Sequence, residues 1–354
     1  METVKKSIRK RILRSVLIFF ISILTLVLIL NTPIIILNHQ ANETNYSNWM
    51  SETLSNEQRV VDVAMLGAHD SFSNEINLFS TLDPYETNGI MKGFTGKLIK
   101  GFIVKQSITQ ISSAEELLNS GVRYLDIRLT YEDEIWYTKH NYLSGDFEPI
   151  AEQIIEFLQS NVGEFLILDF QHISGLEYSS LDDYNIFLNM LETYGLLDYA
   201  QQVDDLSNLT YGNVTGNGSI SKVIIISKFD DSAMDVFQYD STVRSNWSDS
   251  DDFEYILGYI QTEADAIEEL GITDNLRVMQ AVATMQMNGP GILKAITSWS
   301  LIVRANDFNN YLLDYDSFED LLDYLPIVMV DYSDTNKKDF NKNIMGIIID
   351  FNQN

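Results

Sequence analysis

The chain of 354 residues contains no cysteine. Disulfides, thiolate metal centres and a cysteine nucleophile are therefore excluded, and any chemistry must rest on other side chains. Positive charge is also scarce: 23 Lys plus Arg stand against 51 Asp plus Glu, a formal net charge of -28. Six of those basic residues lie before residue 15, which leaves 17 against 50 acids beyond residue 37. So acidic a body is not built for nucleic acid, where affinity comes from neutralising phosphates. It also opposes unassisted adsorption on anionic membranes, so any contact with lipid must be local and specific. Histidine occurs four times, as His39, His69, His140 and His172, and the placement of each therefore carries weight. Apolar residues, by contrast, are plentiful: 45% of the chain, with eighteen Tyr and eighteen Phe, is ample for the core of a globular body.

At the N-terminus Lys5, Lys6, Arg9, Lys10, Arg11 and Arg14 precede an uncharged stretch, 16–37. As a helix rising about 1.5 Å per residue it reaches roughly 33 Å, enough to span a bilayer. The basic flank predicts an N-terminus inside and the acidic body outside. Pro33 interrupts the run, so 16–30 alone also suits the apolar part of a cleaved signal. No small-residue cleavage site stands out near 39–41, and an uncleaved anchor is the preferred expectation. The expected order is a basic tail at 1–15, a transmembrane anchor at 16–37, a polar spacer at 38–59 and one catalytic body at 60–354.

Within that body, apolar runs end or sit at 61–67, 122–129, 135–137, 165–170, 223–226, 277–283 and 327–330. Helical patterns fall between them near 149–158, 181–191, 263–270 and 308–322. Such alternation predicts a parallel sheet with helical crossovers. With seven or so strands, a closed or nearly closed β/α barrel is the economical fold, and an open doubly wound sheet the alternative. The stretches 201–218 and 230–252, rich in Asn, Asp, Ser, Thr and Gly, read as loops or small insertions. There is no internal repeat.

The polar residues fall in a pattern against these strands. His69 and Asp70 follow the first, Asp126 and Arg128 sit late in the second, His140 follows the third and Asp331 the last. In a β/α barrel the carboxyl ends of the strands converge on one face. Two histidines, two carboxylates to orient them and one arginine make a complete set for breaking a phosphodiester without a metal. One His takes a proton from an attacking hydroxyl, the other protonates the leaving oxygen, and the forked guanidinium stabilises charge on phosphorus-bound oxygens. Asp126 and Arg128 also fit an ordinary buried ion pair. His172, beside an apolar run, reads as a structural histidine, and His39 is given no role.

GAHDS at 67–71, GVRYLDIRL at 121–129, KHNY around His140, the following FEPIAEQIIEFLQSNVGEFLILDF and IVMVDYSD at 327–334 resemble, in this order, the X domain of bacterial phosphatidylinositol-specific phospholipases C. The resemblance runs from about residue 60 to 352 and implies a distorted TIM-type β/α barrel, here preceded by a transmembrane helix. It implies His69 as the general base on the inositol 2-hydroxyl, oriented by Asp331, and His140 as the general acid, paired with Asp70. Arg128 matches the arginine that replaces the calcium of eukaryotic relatives, so no metal or other cofactor is expected. The implied reaction is attack of the inositol hydroxyl on phosphorus, releasing diacylglycerol and a cyclic inositol phosphate. Lys228, Asp126 and Asp251 are the candidate head-group contacts, while Ala68, Gln171 and Phe229 depart from residues usual in the family. The implied partners are a phospholipid membrane and an inositol phospholipid head group, with the protein monomeric.

Two other readings compete. A glycerophosphodiester phosphodiesterase would coordinate a divalent cation through carboxylates and resemble HRG, not HDS, at the first histidine. An anchored lipid- or glycan-binding protein on a dead barrel would not need both histidines. The 28 residues of 87–114, free of acids, mix Lys92, Lys97, Lys100 and Lys105 with large apolar side chains. That composition suits either a rim segment docking on a bilayer or a crossover helix packed on the barrel.

Overall fold

The computed structural model describes residues 2–30, 41, 44–202, 205–230, 235–286, 289–298 and 300–354. Ten strands form one sheet: β1 (Met65–Ala68), β2 (Val122–Glu132), β3 (Ile135–His140), β4 (Tyr142–Asp146), β5 (Phe165–Ser174), β6 (Lys222–Ser227), β7 (Val236–Gln238), β8 (Val243–Asn246), β9 (Leu276–Ala281) and β10 (Ile327–Val330). Eight of them run parallel in the order β7-β6-β5-β2-β1-β10-β9-β8. The antiparallel hairpin of β3 and β4 extends from the long strand β2. Strands β7 and β8 stand at the two ends of this order, joined by the helical turn Tyr239–Thr242, and do not pair with each other among the described residues. The sheet is a curled β/α barrel of TIM type with one unsealed seam.

Stretches such as Phe165–Leu168 in β5 and Val223–Ile226 in β6 are apolar on both faces because side chains fill the interior on one side and helices cover the other. Helix Glu148–Ser160 shows how the cover forms. Pro149 opens its first turn, and Ala151, Ile154, Phe157 and Leu158 recur at helical spacing and are buried against the sheet. At the end of the barrel opposite the strands' carboxyl termini, Arg123 and Glu164 form a fully buried ion pair, 2.8 Å apart. Arg123 also donates to the carbonyls of Tyr46 and Ser47, and Glu164 accepts from the amide of Ser51 at 2.9 Å. These bonds satisfy two charges that would otherwise be costly to bury.

Several expectations need correction. The stretch 38–59 is not wholly a spacer, because Trp49 and Met50 are buried in the core and 46–51 is tied to the barrel floor. The loop reading of 230–252 missed β7 and β8, which are short and polar at their exposed positions. The pattern at 308–322 is two helices, Leu301–Leu313 and Phe318–Leu322, and the one near 263–270 begins at Phe253. Strand β1 is only Met65–Ala68, preceded by the 3-10 turn Val60–Asp62. A Cβ at Gly67 would meet the Tyr124 ring at 3.2 Å and Met329 Cα at 3.3 Å, so a side chain there would push its neighbours by a few tenths of an ångström, which glycine avoids. At the N-terminus, Glu2–Leu30 is one helix, of which Ile8–Leu30 is long and apolar enough to cross a membrane, as a membrane anchor or a signal sequence would be. Residues 31–37 of the expected anchor, part of the spacer and His39 lie outside the described residues.

Candidate active site

Strands β1 and β10 pair in register, Ala68 beside Val330, so the next residue of each, His69 and Asp331, emerge together at their carboxyl ends. The His69 amide continues the ladder by donating to the Val330 carbonyl at 3.1 Å. Gln110 then clamps both ends, its side-chain amide donating to the carbonyls of His69 (3.1 Å) and Val330 (2.9 Å). His69 Nδ1 lies 2.6 Å from Asp331 Oδ1. With Nδ1 protonated toward that carboxylate, Nε2 is left for chemistry.

The chain turns sharply after His69: Asp70 has φ +42, the left-handed region that Asp tolerates better than most residues. The turn is held by Asp126, whose Oδ2 accepts from the Asp70 amide at 3.1 Å and from Arg128 Nη2 at 3.1 Å. Arg128 Nε faces the Asp70 carboxylate in a close ion pair, and its Nη2 lies 3.1 Å from His69 Nε2. On the other side of Asp70, His140 Nδ1 stands 3.2 Å from Asp70 Oδ2 and 2.9 Å from the Ser107 carbonyl. The His69 and His140 ring centres are 6.3 Å apart, with the rings steeply inclined.

Five expected residues, His69, Asp70, Arg128, His140 and Asp331, are thus brought into one cluster beside a cavity of about 700 Å³. Lys228 lines the same cavity, its Nζ 4.7 Å above the Tyr239 ring. Two of the expected head-group contacts are corrected. Asp126 is fully buried, does not line the cavity, and is bonded to Arg128 and the Asp70 amide. Asp251 is held in ion pairs with Lys294 (2.8 Å) and Arg304 (3.9 Å), also outside the cavity lining. His172, read as structural, is exposed and lines the cavity, because β5 runs past its apolar stretch and places His172 beside Arg128 in register.

Charge decides protonation here. Burial would push His69 down, but Asp70 and Asp331, the latter also through its hydrogen bond, outweigh it and lift His69 to about 9 against the opposition of Arg128. Burial likewise favours a neutral Asp70, yet Arg128, His140 and His69 hold it down to about 2. His140 is lowered, by burial first and then by Arg128 and His69, with Asp70 resisting. Desolvation and the nearby Arg128 and Lys228 charges push His172 down to about 4. Deeper in the barrel, burial and then the charge of Asp126 raise Asp169 to about 7, although Tyr124 and Gln171 donate hydrogen bonds to it.

Three side chains, His69, Asp70 and Asp126, offer potential metal-ligand atoms within 4.8 Å of one another. All three already face Arg128. The Arg128 guanidinium thus already contacts each of the three side chains that could hold a cation here.

No family model matches the chain. It is similar to PI-PLC X domain-containing protein 3 of Danio rerio, 28% identical over 144 residues, which is 38% of this chain and 45% of that protein. A PI-PLC X-box domain-containing protein of Dictyostelium discoideum is 24% identical over 295 residues, 77% of this chain and 37% of the relative. The variant-surface-glycoprotein phospholipase C of Trypanosoma brucei brucei is 32% identical over 146 residues, 37% of this chain and 40% of that one. The matched stretches span less than half the length of these relatives. In fold, the chain is similar to the phosphatidylinositol-specific phospholipase C of Listeria monocytogenes, with a TM-score of 0.57 at 18% identity over 87% of this chain and 98% of that one. These likenesses support kinship with PI-PLC X-domain proteins. The three sequence relatives named are eukaryotic, and the bacterial enzyme is linked by fold alone.

Proposed function

We propose that the chain is a metal-independent phosphodiesterase of the phospholipase C type, cleaving phosphatidylinositol or a related inositol glycolipid to diacylglycerol and a cyclic inositol phosphate. The observation that carries this reading is the pair His69 and His140, 6.3 Å apart across Asp70 and Arg128, with Asp331 behind His69. A phosphodiester on Arg128 would meet one imidazole on each side. His69 Nε2 takes the proton of the inositol 2-hydroxyl as its oxygen attacks phosphorus, and Asp331 stabilises the imidazolium that results. Arg128 stabilises charge on the non-bridging oxygens. His140, with Nδ1 engaged by Ser107 and Asp70, turns Nε2 to the glycerol oxygen and gives it a proton as the P–O bond breaks.

In this reading the barrel of 60–354, with the stretch 46–51 tied to its floor, forms the catalytic body, and 16–37 anchor it so that the barrel lies outside the cell as a monomer. Leu30, at the end of the apolar helix, packs against the cluster containing Phe102 and Ile103, and Ala41 bridges to Thr335, four residues past Asp331. Both contacts favour a catalytic face turned toward the membrane that holds the anchor. The test is phosphorus NMR of the purified protein with phosphatidylinositol: a cyclic phosphodiester resonance supports the reading, and direct appearance of a phosphomonoester, or no cleavage, refutes it.

A further inference from the structure

The cavity beside the histidines has two unlike halves. One is polar and lies on the β5 to β7 side, with Gln171, His172, Lys228 and Tyr239. The other is apolar, walled by Ile99, Phe102, Ile103, Val282, Ala283 and Leu301. Except for Ile99, which is half-buried, these wall residues are buried although they line the cavity, so the wall is sheltered, unlike the exposed Phe94 nearby, which does not line it. At about 700 Å³ the cavity lies in the upper half of the range of roughly 300–1,000 Å³ usual for small-ligand sites.

The two halves are tied to the two histidines. His140 Nδ1 lies 2.9 Å from the carbonyl of Ser107, the last residue of helix Lys100–Ser107, and this helix carries Phe102 and Ile103. The histidine assigned to the leaving oxygen therefore sits at the end of the helix that carries this wall, and the leaving alcohol departs on that side of the cavity. We propose that this wall binds the first methylenes of the substrate's acyl chain, so that the chain-proximal part of the lipid enters the protein instead of staying wholly in the bilayer. This rests on the phosphodiesterase reading, and it adds the substrate class: inositol phospholipids that the enzyme can engage as single molecules, one chain inside the cavity.

The test compares the full chain, in detergent, on glycerophosphoinositol and on its 1-butanoyl, 1-hexanoyl and 1-octanoyl esters, each present as free monomers. Burial of one methylene contributes about 0.8 kcal/mol, so kcat/KM is expected to climb by up to about fourfold per methylene until the wall is full. Ala283→Phe, which fills the wall, and Leu301→Gln, which makes it polar, should each flatten that climb, lowering the octanoyl-to-unacylated ratio at least tenfold. Equal kcat/KM for all four compounds with the wild-type protein overturns the wall and leaves the phosphodiesterase reading standing. A climb that survives in both folded variants also overturns it. Failure to cleave any of the four, glycerophosphoinositol included, overturns both.

Discussion

His69 Nδ1 and Asp331 Oδ1 lie 2.6 Å apart although 262 residues separate them in the chain. The contact follows from strand order: β1 and β10, the first and last strands, are neighbours, and in-register pairing of Ala68 with Val330 leaves the next two residues side by side. Asp331 is also fixed from behind, because Asn309 donates to its carbonyl at 2.8 Å and Tyr332 turns left-handed at φ +51. A carboxylate so placed selects the tautomer of His69 and holds its pKa up.

The pH profile tests that relationship. Productive catalysis needs one proton on the pair, on His140 and not on His69, whereas the resting electrostatics favour the reverse order. kcat/KM should therefore be bell-shaped, falling below the depressed pKa of His140, under 6.5, and again above about 9 as the pair loses its last proton. In Asp331→Asn one of the two charges that lift His69 is gone while Asp70 remains, so the basic limb should move part of the way down, with turnover reduced by roughly 10² or more. A basic limb that stays in place in the folded variant would remove Asp331 from the site.

Arg128 meets Asp70 through Nε and Asp126 through Nη2, a two-point contact that lysine cannot copy. Arg128→Lys should lose roughly 10²- to 10³-fold in kcat, the scale of removing a preorganised donor to developing charge. Because Arg128 already pairs with the three side chains that could share an ion, EDTA should leave the wild-type rate unchanged. Inhibition by EDTA that calcium reverses would contradict this.

Much of this site is legible in the sequence because strand ends are. His69, Arg128 and Asp331 close apolar runs of parallel strands, whose carboxyl ends a barrel gathers on one face, whereas His140 is brought back to that face by the antiparallel strand β3. What the sequence hides depends on register and partners. His172 looks structural until β5 is seen to run on to Ser174 beside Arg128. Asp126 and Asp251 are both acidic and well placed in sequence, but only packing reveals that one lies under Arg128 and the other is engaged by Lys294. Strands β7 and β8 are three and four residues long, too short for periodicity to register.

Asp169 provides a test of the barrel's interior. Its folded pKa of about 7 lies above the model-peptide value of 3.8, so ionisation favours the unfolded chain, and the penalty grows from pH 3.8 up to about 7. Asn mimics the protonated acid and carries no such penalty. In urea titrations the stability of Asp169→Asn relative to wild type should improve between pH 5 and pH 8. A pH-independent difference would mean that Asp169 is ionised in the fold.

The acid-free segment 87–114 divides by residue. Phe94 is 79% exposed, while Phe102 is 7% exposed and packs in a core cluster at the cavity wall. Phe94→Ser should slow cleavage of vesicle-borne lipid, leave a soluble inositol cyclic phosphate unaffected and keep the melting temperature. Phe102→Ser should lower stability and both activities. Equal behaviour of the two variants would deny the segment its divided role.

The most direct measurement is single-turnover formation of the cyclic phosphodiester from phosphatidylinositol by the wild type, His69→Ala, His140→Ala and the double variant, each verified as folded. Either single substitution should cost about 10²- to 10⁴-fold, with the double variant little worse, because the two imidazoles work as one acid-base pair. Near-wild-type formation of the cyclic product by either single variant would contradict the assignment.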